Sequence, residues 1–543
     1  MKRAFLAVAA AALLVLLVRA ARVGLAGDYI DPIRQITAQD EALYAASSIH
    51  MAADGGWSTP RFMGRYALYK PPLLFWMSAL SARVLGISRL SLRLPDALAG
   101  ALAIGLIFLW AAELRSVEAG VCAALLAASN HLWHVLGSLA LTDMLLVACS
   151  TAALYAVFSD PWLESRAALW GFAAAVAAAI LTKSVAGILP LASLGLYWLA
   201  APRRYRPSLT RVCLAASLAV ALAAPWFLYQ FAVHRRWFWT EHLQVEILGY
   251  GAAAPPQTSR ENQAVFYLAR LALIDPVLLA FFLTAIPGWA RALRRRGPAP
   301  VLLACWLIVP AASVLLWQYR NITYLLPLTP PMAIAAAAYG PFSDRGTARW
   351  LIVLIAAAAL AKTAVPRLPW GLSFAGGTVQ PVAPLVSRYC ARDRGNELIL
   401  VGVDDDLYAA ALPLAGLRYC LVGATGATGP YGLDFASMGI AVTAAQFNRL
   451  DRWTPVFRDR LRQWGIDSAA PIATLILAQS NAQLGEVIRA HPDSDFLLPG
   501  RYRAALTGVE NTHTIEPVLP GHWLVLSRHA LPRSEPPRWS CGL

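Results

Sequence analysis

Residues 300–317 read Pro300-Val301-Leu302-Leu303-Ala304-Cys305-Trp306-Leu307-Ile308-Val309-Pro310-Ala311-Ala312-Ser313-Val314-Leu315-Leu316-Trp317, without Asp, Glu, Lys or Arg. About 20 apolar residues carry a helix across a bilayer, so this run predicts a span. After Gln318-Tyr319-Arg320-Asn321 a second apolar run covers 322–340, and a third covers 348–365. Toward the N-terminus similar runs lie near 91–113, 119–137, 142–159, 167–182, 184–201, 211–232 and 264–285. Met1-Lys2-Arg3 precedes another, Ala4 to Val18. Further spans follow it, which favours an uncleaved first helix over a signal peptide. The expectation is a polytopic α-helical membrane protein with about eleven or more spans.

Composition agrees. Of the 543 residues 58% are hydrophobic and 14% charged, against about 25% charged in a soluble domain. Residues 366–543 hold 16 Arg, no Lys and 15 acidic residues, so nearly all of the +15 net charge belongs to the apolar part. A nucleic-acid binder would gather its basic residues on a soluble domain; nucleic acid is therefore not an expected partner. With Lys2 and Arg3 in the cytoplasm, Arg203, Arg204, Arg206, Arg211, Arg291, Arg294, Arg295, Arg296, Arg345 and Arg349 fall on that side. The short opposite loops hold only Lys183 and Arg320, as the positive-inside rule requires.

Two domains follow: 1–365 in the membrane, with an amphipathic first outer loop over 25–90, and 366–543 outside it. The second reads as soluble α/β. Glu397–Val403 and Leu417–Val422 are candidate strands, and Asp404-Asp405-Asp406 a turn and helix cap. Its cysteines, Cys390, Cys420 and Cys541, allow one internal disulfide, with Cys390–Cys420 the first choice. No CxxC or metal-ligand spacing occurs.

The first outer loop is the richest in chemistry. It contains Asp40-Glu41-Ala42-Leu43-Tyr44, then Gly55-Gly56-Trp57, then Tyr69-Lys70-Pro71-Pro72. Adjacent carboxylates at a helix start are ordinarily a cap and a first-turn acid. Asp143, Lys183 and Arg320 change the weighing, because each stands at the outer mouth of a span. Ionisable residues there are costly unless paired or solvated; snorkelling is the ordinary alternative for Lys183 and Arg320. The topology gathers Asp40, Asp143, Lys70, Lys183 and Arg320 on one side. Cations with carboxylates suit a lipid-linked phosphate and an acceptor that must be oriented or activated. In the loop after the seventh span, Trp237, Phe238 and Trp239 read as interfacial aromatics. Glu241 and His242 could contact substrate or a divalent ion, but two residues are too few for a metal site.

These pieces resemble the polyprenyl-phosphate-dependent glycosyltransferases of GT-C fold, in particular the lipid A aminoarabinose transferases and the protein O-mannosyltransferases. The resemblance rests on Asp40-Glu41…Tyr44, Gly56-Trp57…Pro60, Tyr69-Lys70-Pro71-Pro72, Leu141-Thr142-Asp143, Thr182-Lys183, Pro225-Trp226, Phe238-Trp239-Thr240-Glu241-His242 and Tyr324-Leu325-Leu326-Pro327. It implies catalytic Asp40 and Asp143, and a donor phosphate held by Lys70, Lys183 and Arg320 with Tyr69. Glu41, Tyr44, Glu241 and His242 would support them. It further implies a bacterial inner-membrane enzyme with its site facing the periplasm, and inverting transfer to lipid A phosphate. Alternatives are another sugar, mannose- or uronic-acid-like, passed to a protein or surface glycan, and, from another class, a transporter or lipid flippase. Tyr69 stands where the aminoarabinose enzymes often have Glu, and Ser184 where Gly is usual.

Overall fold

The computed structural model describes residues 2–22, 30–31, 36–37, 39–62, 65–235, 238–249, 262–317, 320–340, 385, 388–392, 394–401, 419–424, 475–478, 481–518 and 521–532. Two compact units emerge. One comprises Met1–Val23, Asp31–Ile36 and Leu68–Gly376; the other comprises Gly24–Ile30, Thr37–Ala67 and Gly377–Leu543.

The first unit is a helical bundle. Seven helical stretches among the described residues are long and apolar enough to cross a membrane: Arg89–Leu114, Thr142–Ser159, Arg166–Ala200, Leu209–His234, Pro276–Arg294, Pro298–Leu316 and Ile322–Tyr339. Shorter apolar helices cover Arg3–Val18, Leu73–Leu85, Val117–Ala128 and Gln263–Ile274. This is a multi-pass membrane protein. The expected span at 348–365 and the Asp404–Asp406 turn lie outside the described residues.

Local chemistry breaks two of the expected runs, and keeps the expected division after Lys183. The run 264–285 breaks at Asp275-Pro276: one helix ends at Ile274 and the next begins at Pro276. A residue before proline is disfavoured in the α region, and Asp275 caps the new helix by accepting from the Leu278 amide at 3.1 Å. The run 119–137 breaks at Ser129-Asn130, where Asn130 accepts from the Leu132 amide at 2.8 Å. The stretch Arg166–Ala200 reverses through a 3₁₀ turn at Ser184–Ile188. The Trp162 indole donates to the Arg204 carbonyl at 2.9 Å, so the start of this hairpin and its end are neighbours.

Small residues set the closest packing. A Cβ at Gly100 would come within 2.8 Å of Leu16, and one at Gly105 within 2.5 Å of Phe5. The first helix, Lys2–Arg22, therefore lies close along Arg89–Leu114. At its end the buried Arg93 donates to the Ala20 carbonyl at 2.8 Å. Arg115 does the same for the helix Thr329–Tyr339, donating to the Ala338 and Gly340 carbonyls at 3.0 and 2.9 Å. Both are cations on orphan carbonyls at a helix C-terminus. Between them, Trp110 stacks on Phe158 and Trp306, with centroids 4.7 and 5.3 Å away.

The second unit contains the helix Gln39–Asp54 and a six-stranded sheet. Gly55 and Gly56, at φ +83° and +75°, end the helix in a conformation open to glycine. The strands are β1 (Leu398–Val401), β2 (Tyr419–Ala424), β3 (Leu475–Ala478), β4 (Asp495–Pro499), β5 (His513–Val518) and β6 (His522–Ser527). Their order is β3-β2-β1-β4-β6-β5. The first three pairings are parallel and the last two antiparallel. The helix Asn481–Ala490 covers the sheet with Leu484, Val487 and Ile488 against Ile399, Phe496 and Val525. The buried Asp495 carboxylate accepts from Arg394 at 2.7 and 2.9 Å, from the Tyr389 hydroxyl at 2.7 Å and from the Ser527 amide at 2.7 Å. Cys390 is disulfide-bonded.

Candidate active site

Two span mouths meet in the bundle. The helix Thr142–Ser159 opens with Thr142-Asp143, and Arg166–Lys183 closes with Lys183. The Lys183 ammonium donates to Asp143 Oδ1 at 2.7 Å, and both side chains are about one-seventh exposed, at 16% and 14%. The same ammonium lies 5.3 Å from the centre of the Tyr324 ring, a cation–π contact.

The next residue, Ser184, has φ +42°, a region that costs a side-chain-bearing residue about 1–3 kcal/mol. Its hydroxyl lies 2.9 Å from His242 Nε2, and His242 Nδ1 lies 2.9 Å from the Leu68 carbonyl. A carbonyl only accepts, so Nδ1 carries the proton and Nε2 accepts from Ser184. Burial pushes His242 down to about 4, and the charge of Lys70 acts in the same direction. The ring is therefore neutral and its tautomer fixed. Aromatic neighbours hold it in place: Phe238 stacks on it at 4.8 Å, and Trp226 and Phe227 meet it edge-on at 6.3 and 5.7 Å.

His242 belongs to a π-helix, Trp239–Gly249. π-Helical turns are rare and concentrate at functional sites. One turn beyond His242 the same element carries Glu246, which forms an ion pair with Lys70. A continuous polar path thus runs Asp143, Lys183, Ser184, His242, Leu68-Tyr69-Lys70, Glu246.

Arg320 has a different set of partners. It donates to Gln263 Oε1 at 2.7 Å and stands over Phe266 at 5.1 Å. Tyr324, one turn on, is the residue that meets Lys183. Asp40 is exposed in the first turn of Gln39–Asp54, while Glu41 and Tyr44 are buried; all three belong to the second compact unit. The Glu241 side chain lies outside the described residues. Among those described, no three His, Cys, Asp or Glu side chains are grouped to hold a metal ion. Sequence reasoning missed Glu246. Its one signal was a carboxylate in the apolar Val245-Glu246-Ile247-Leu248, one turn after His242.

A family model described as dolichyl-phosphate-mannose-protein mannosyltransferase matches residues 69–239, which contain Tyr69, Lys70, Asp143 and Lys183. The solved structure of ArnT from Cupriavidus metallidurans bound to undecaprenyl phosphate superimposes with a TM-score of 0.62. It covers 97% of this chain and 99% of its own, at 18% identity. The chain has the GT-C fold. Among curated proteins, the undecaprenyl phosphate-alpha-4-amino-4-deoxy-L-arabinose arabinosyl transferase of Pectobacterium carotovorum subsp. carotovorum (strain PC1) is 28% identical over 334 residues. That match spans 57% of this chain and 56% of the relative. The transferase of the same description from Pseudomonas aeruginosa (strain LESB58) is 30% identical over 311 residues, 54% of each chain. The chain thus matches about half the length of these relatives. Within the GT-C frame, the polar path occupies the mouths of apolar helices.

Proposed function

We propose that the chain is a membrane glycosyltransferase that moves 4-amino-4-deoxy-L-arabinose from undecaprenyl phosphate to lipid A, on the periplasmic side of a bacterial inner membrane. The observation that carries this reading is the polar path from Asp143–Lys183 to Lys70–Glu246, set at helix mouths in a GT-C fold. The names of the matching transferases supply the sugar and the lipid. The disulfide at Cys390 agrees with an oxidising compartment for that part of the chain.

A sugar phosphodiester is already an activated donor. The acceptor oxygen attacks the anomeric carbon, and the new carbon–oxygen bond forms as the bond to the phosphate oxygen breaks. The electron pair leaves with the lipid phosphate, which gains one negative charge. Lys70 is the cation assigned to that charge, with Lys183, held by Asp143, assigned to assist it. Attack opposite the leaving group inverts the anomeric configuration. A lipid A phosphate is anionic at neutral pH and needs no base; Asp40, exposed at its helix start, is assigned to orient the acceptor as a whole rather than to deprotonate it. Tyr69 and Arg320 are assigned to the donor side, and Glu41, Tyr44, Glu241 and His242 to support.

The test is mass spectrometry of lipid A from a deletion strain, with purified protein supplied with undecaprenyl-phosphate aminoarabinose and lipid A. Loss of the aminopentose increment in the strain and its addition by the protein are expected. Unaltered lipid A together with a changed surface glycan or protein would overturn the acceptor.

A further inference from the structure

Glu246 has no role in the reaction just described, yet it is placed with care. The π-helix Trp239–Gly249 lays His242 and Glu246 along Leu68–Lys70: His242 meets the Leu68 carbonyl, and Glu246 meets the Lys70 ammonium. The Lys70 and Glu246 side chains are 15% and 21% exposed. Water therefore screens the pair only in part, and charges there act more strongly than at an open surface.

A carboxylate against a phosphate-binding lysine is a handicap for an ordinary anionic ligand. When the phosphate takes Lys70, Glu246 is left beside it with a like charge. The handicap vanishes for a ligand that brings its own cation. A sugar phosphodiester carries one negative charge, and a protonated amine on the sugar makes it a zwitterion of net charge zero. Such a ligand exchanges charge for charge with the Lys70–Glu246 pair. The neighbouring groups cannot take the amine's charge equally well. Asp143 is engaged by Lys183 at 2.7 Å, and His242 is neutral with Nδ1 bonded to a carbonyl.

We propose that Glu246 is a specificity residue that receives the protonated amine of an amino-sugar donor while Lys70 receives its phosphate. This rests on the reading of the chain as a lipid-linked-sugar transferase. In the unliganded protein the two side chains hold each other; in the donor complex each turns to the opposite end of the ligand. Both have flexible stems that permit the parting.

The experiment measures binding of two donors to the full chain in lipid nanodiscs. They are undecaprenyl-phosphate 4-amino-4-deoxy-L-arabinose and undecaprenyl-phosphate L-arabinose, which has a hydroxyl in place of the amine. Wild type is expected to prefer the amino donor by about tenfold, the scale of one charge-assisted hydrogen bond. Glu246→Gln should bring that ratio close to one, and Glu246→Asp should retain most of it. The ratio is taken on one preparation, so partial misfolding of a variant cancels. A wild-type ratio near one, or a Glu246→Gln ratio still near tenfold, overturns the proposal while leaving the transferase reading standing. Failure of wild type to bind either donor overturns both.

Discussion

Lys183 and Asp143 lie 40 residues apart in the chain, and their side chains meet at 2.7 Å across the mouths of two apolar helices. Removing one partner leaves the other charge poorly compensated, whereas removing both does not. We expect Asp143→Asn and Lys183→Met each to lower stability more than half as much as the double variant. The coupling should be about 1–3 kcal/mol. Thermal unfolding of the four proteins in one detergent measures it; simple additivity would show that the pair contributes nothing.

Ser184 combines an unfavourable backbone with a useful hydroxyl. Ser184→Ala keeps φ at +42° and loses the bond to His242, so a loss of about 1–2 kcal/mol is expected. Ser184→Gly loses the same bond but relieves the backbone by about 1 kcal/mol. The glycine variant should melt above the alanine variant, and the reverse order would remove the strain from the account.

His242 gives a pH dependence of definite sign. Burial lowers it in the folded chain from 6.5 to about 4, so the unfolded chain binds the proton first. Above pH 6.5 the neutral ring costs nothing. As pH falls from 6.5 to about 4, stability declines by on the order of 3 kcal/mol at most. Melting curves of His242→Gln across this range should be flatter than those of wild type.

Asp40 carries the proposed acceptor role, and its exposure means that little packing depends on it. Asp40→Asn should insert and melt like wild type, within about 0.5 kcal/mol, while sugar transfer falls below detection. Full turnover by this variant would remove Asp40 from the chemistry.

The Asp495 cluster belongs to the second unit. Asp495→Asn leaves Arg394 without its carboxylate, with an expected cost of about 3–5 kcal/mol. Proteolysis of the full chain should then cut the sheet unit at lower protease concentration, with the bundle unaffected.

Much of this fold was legible because a bilayer imposes a crude rule: long apolar runs span. What the rule misses are the interruptions. Asp275-Pro276 and Ser129-Asn130 break runs that average hydropathy joins, because capping acts over one or two residues. The site divides similarly. Asp143 and Lys183 were legible as ionisable residues at helix mouths. The Gln263 and Phe266 contacts of Arg320 were not, since nothing local announces a partner 57 residues away. Glu246 was overlooked for another reason. A π-helix has no periodic signature in sequence, and without it the turn joining His242 to Glu246 cannot be drawn.

Arg115 reaches 223 and 225 residues ahead to the Ala338 and Gly340 carbonyls. A ribosome adding about 5–20 residues per second needs about 10–45 s to cover that distance. For that time the helix Arg89–Leu114 lacks its late neighbour, the helix Thr329–Tyr339. The bundle is thus closed by one of its late helices, and a chain truncated before residue 338 lacks the fastening that completes it.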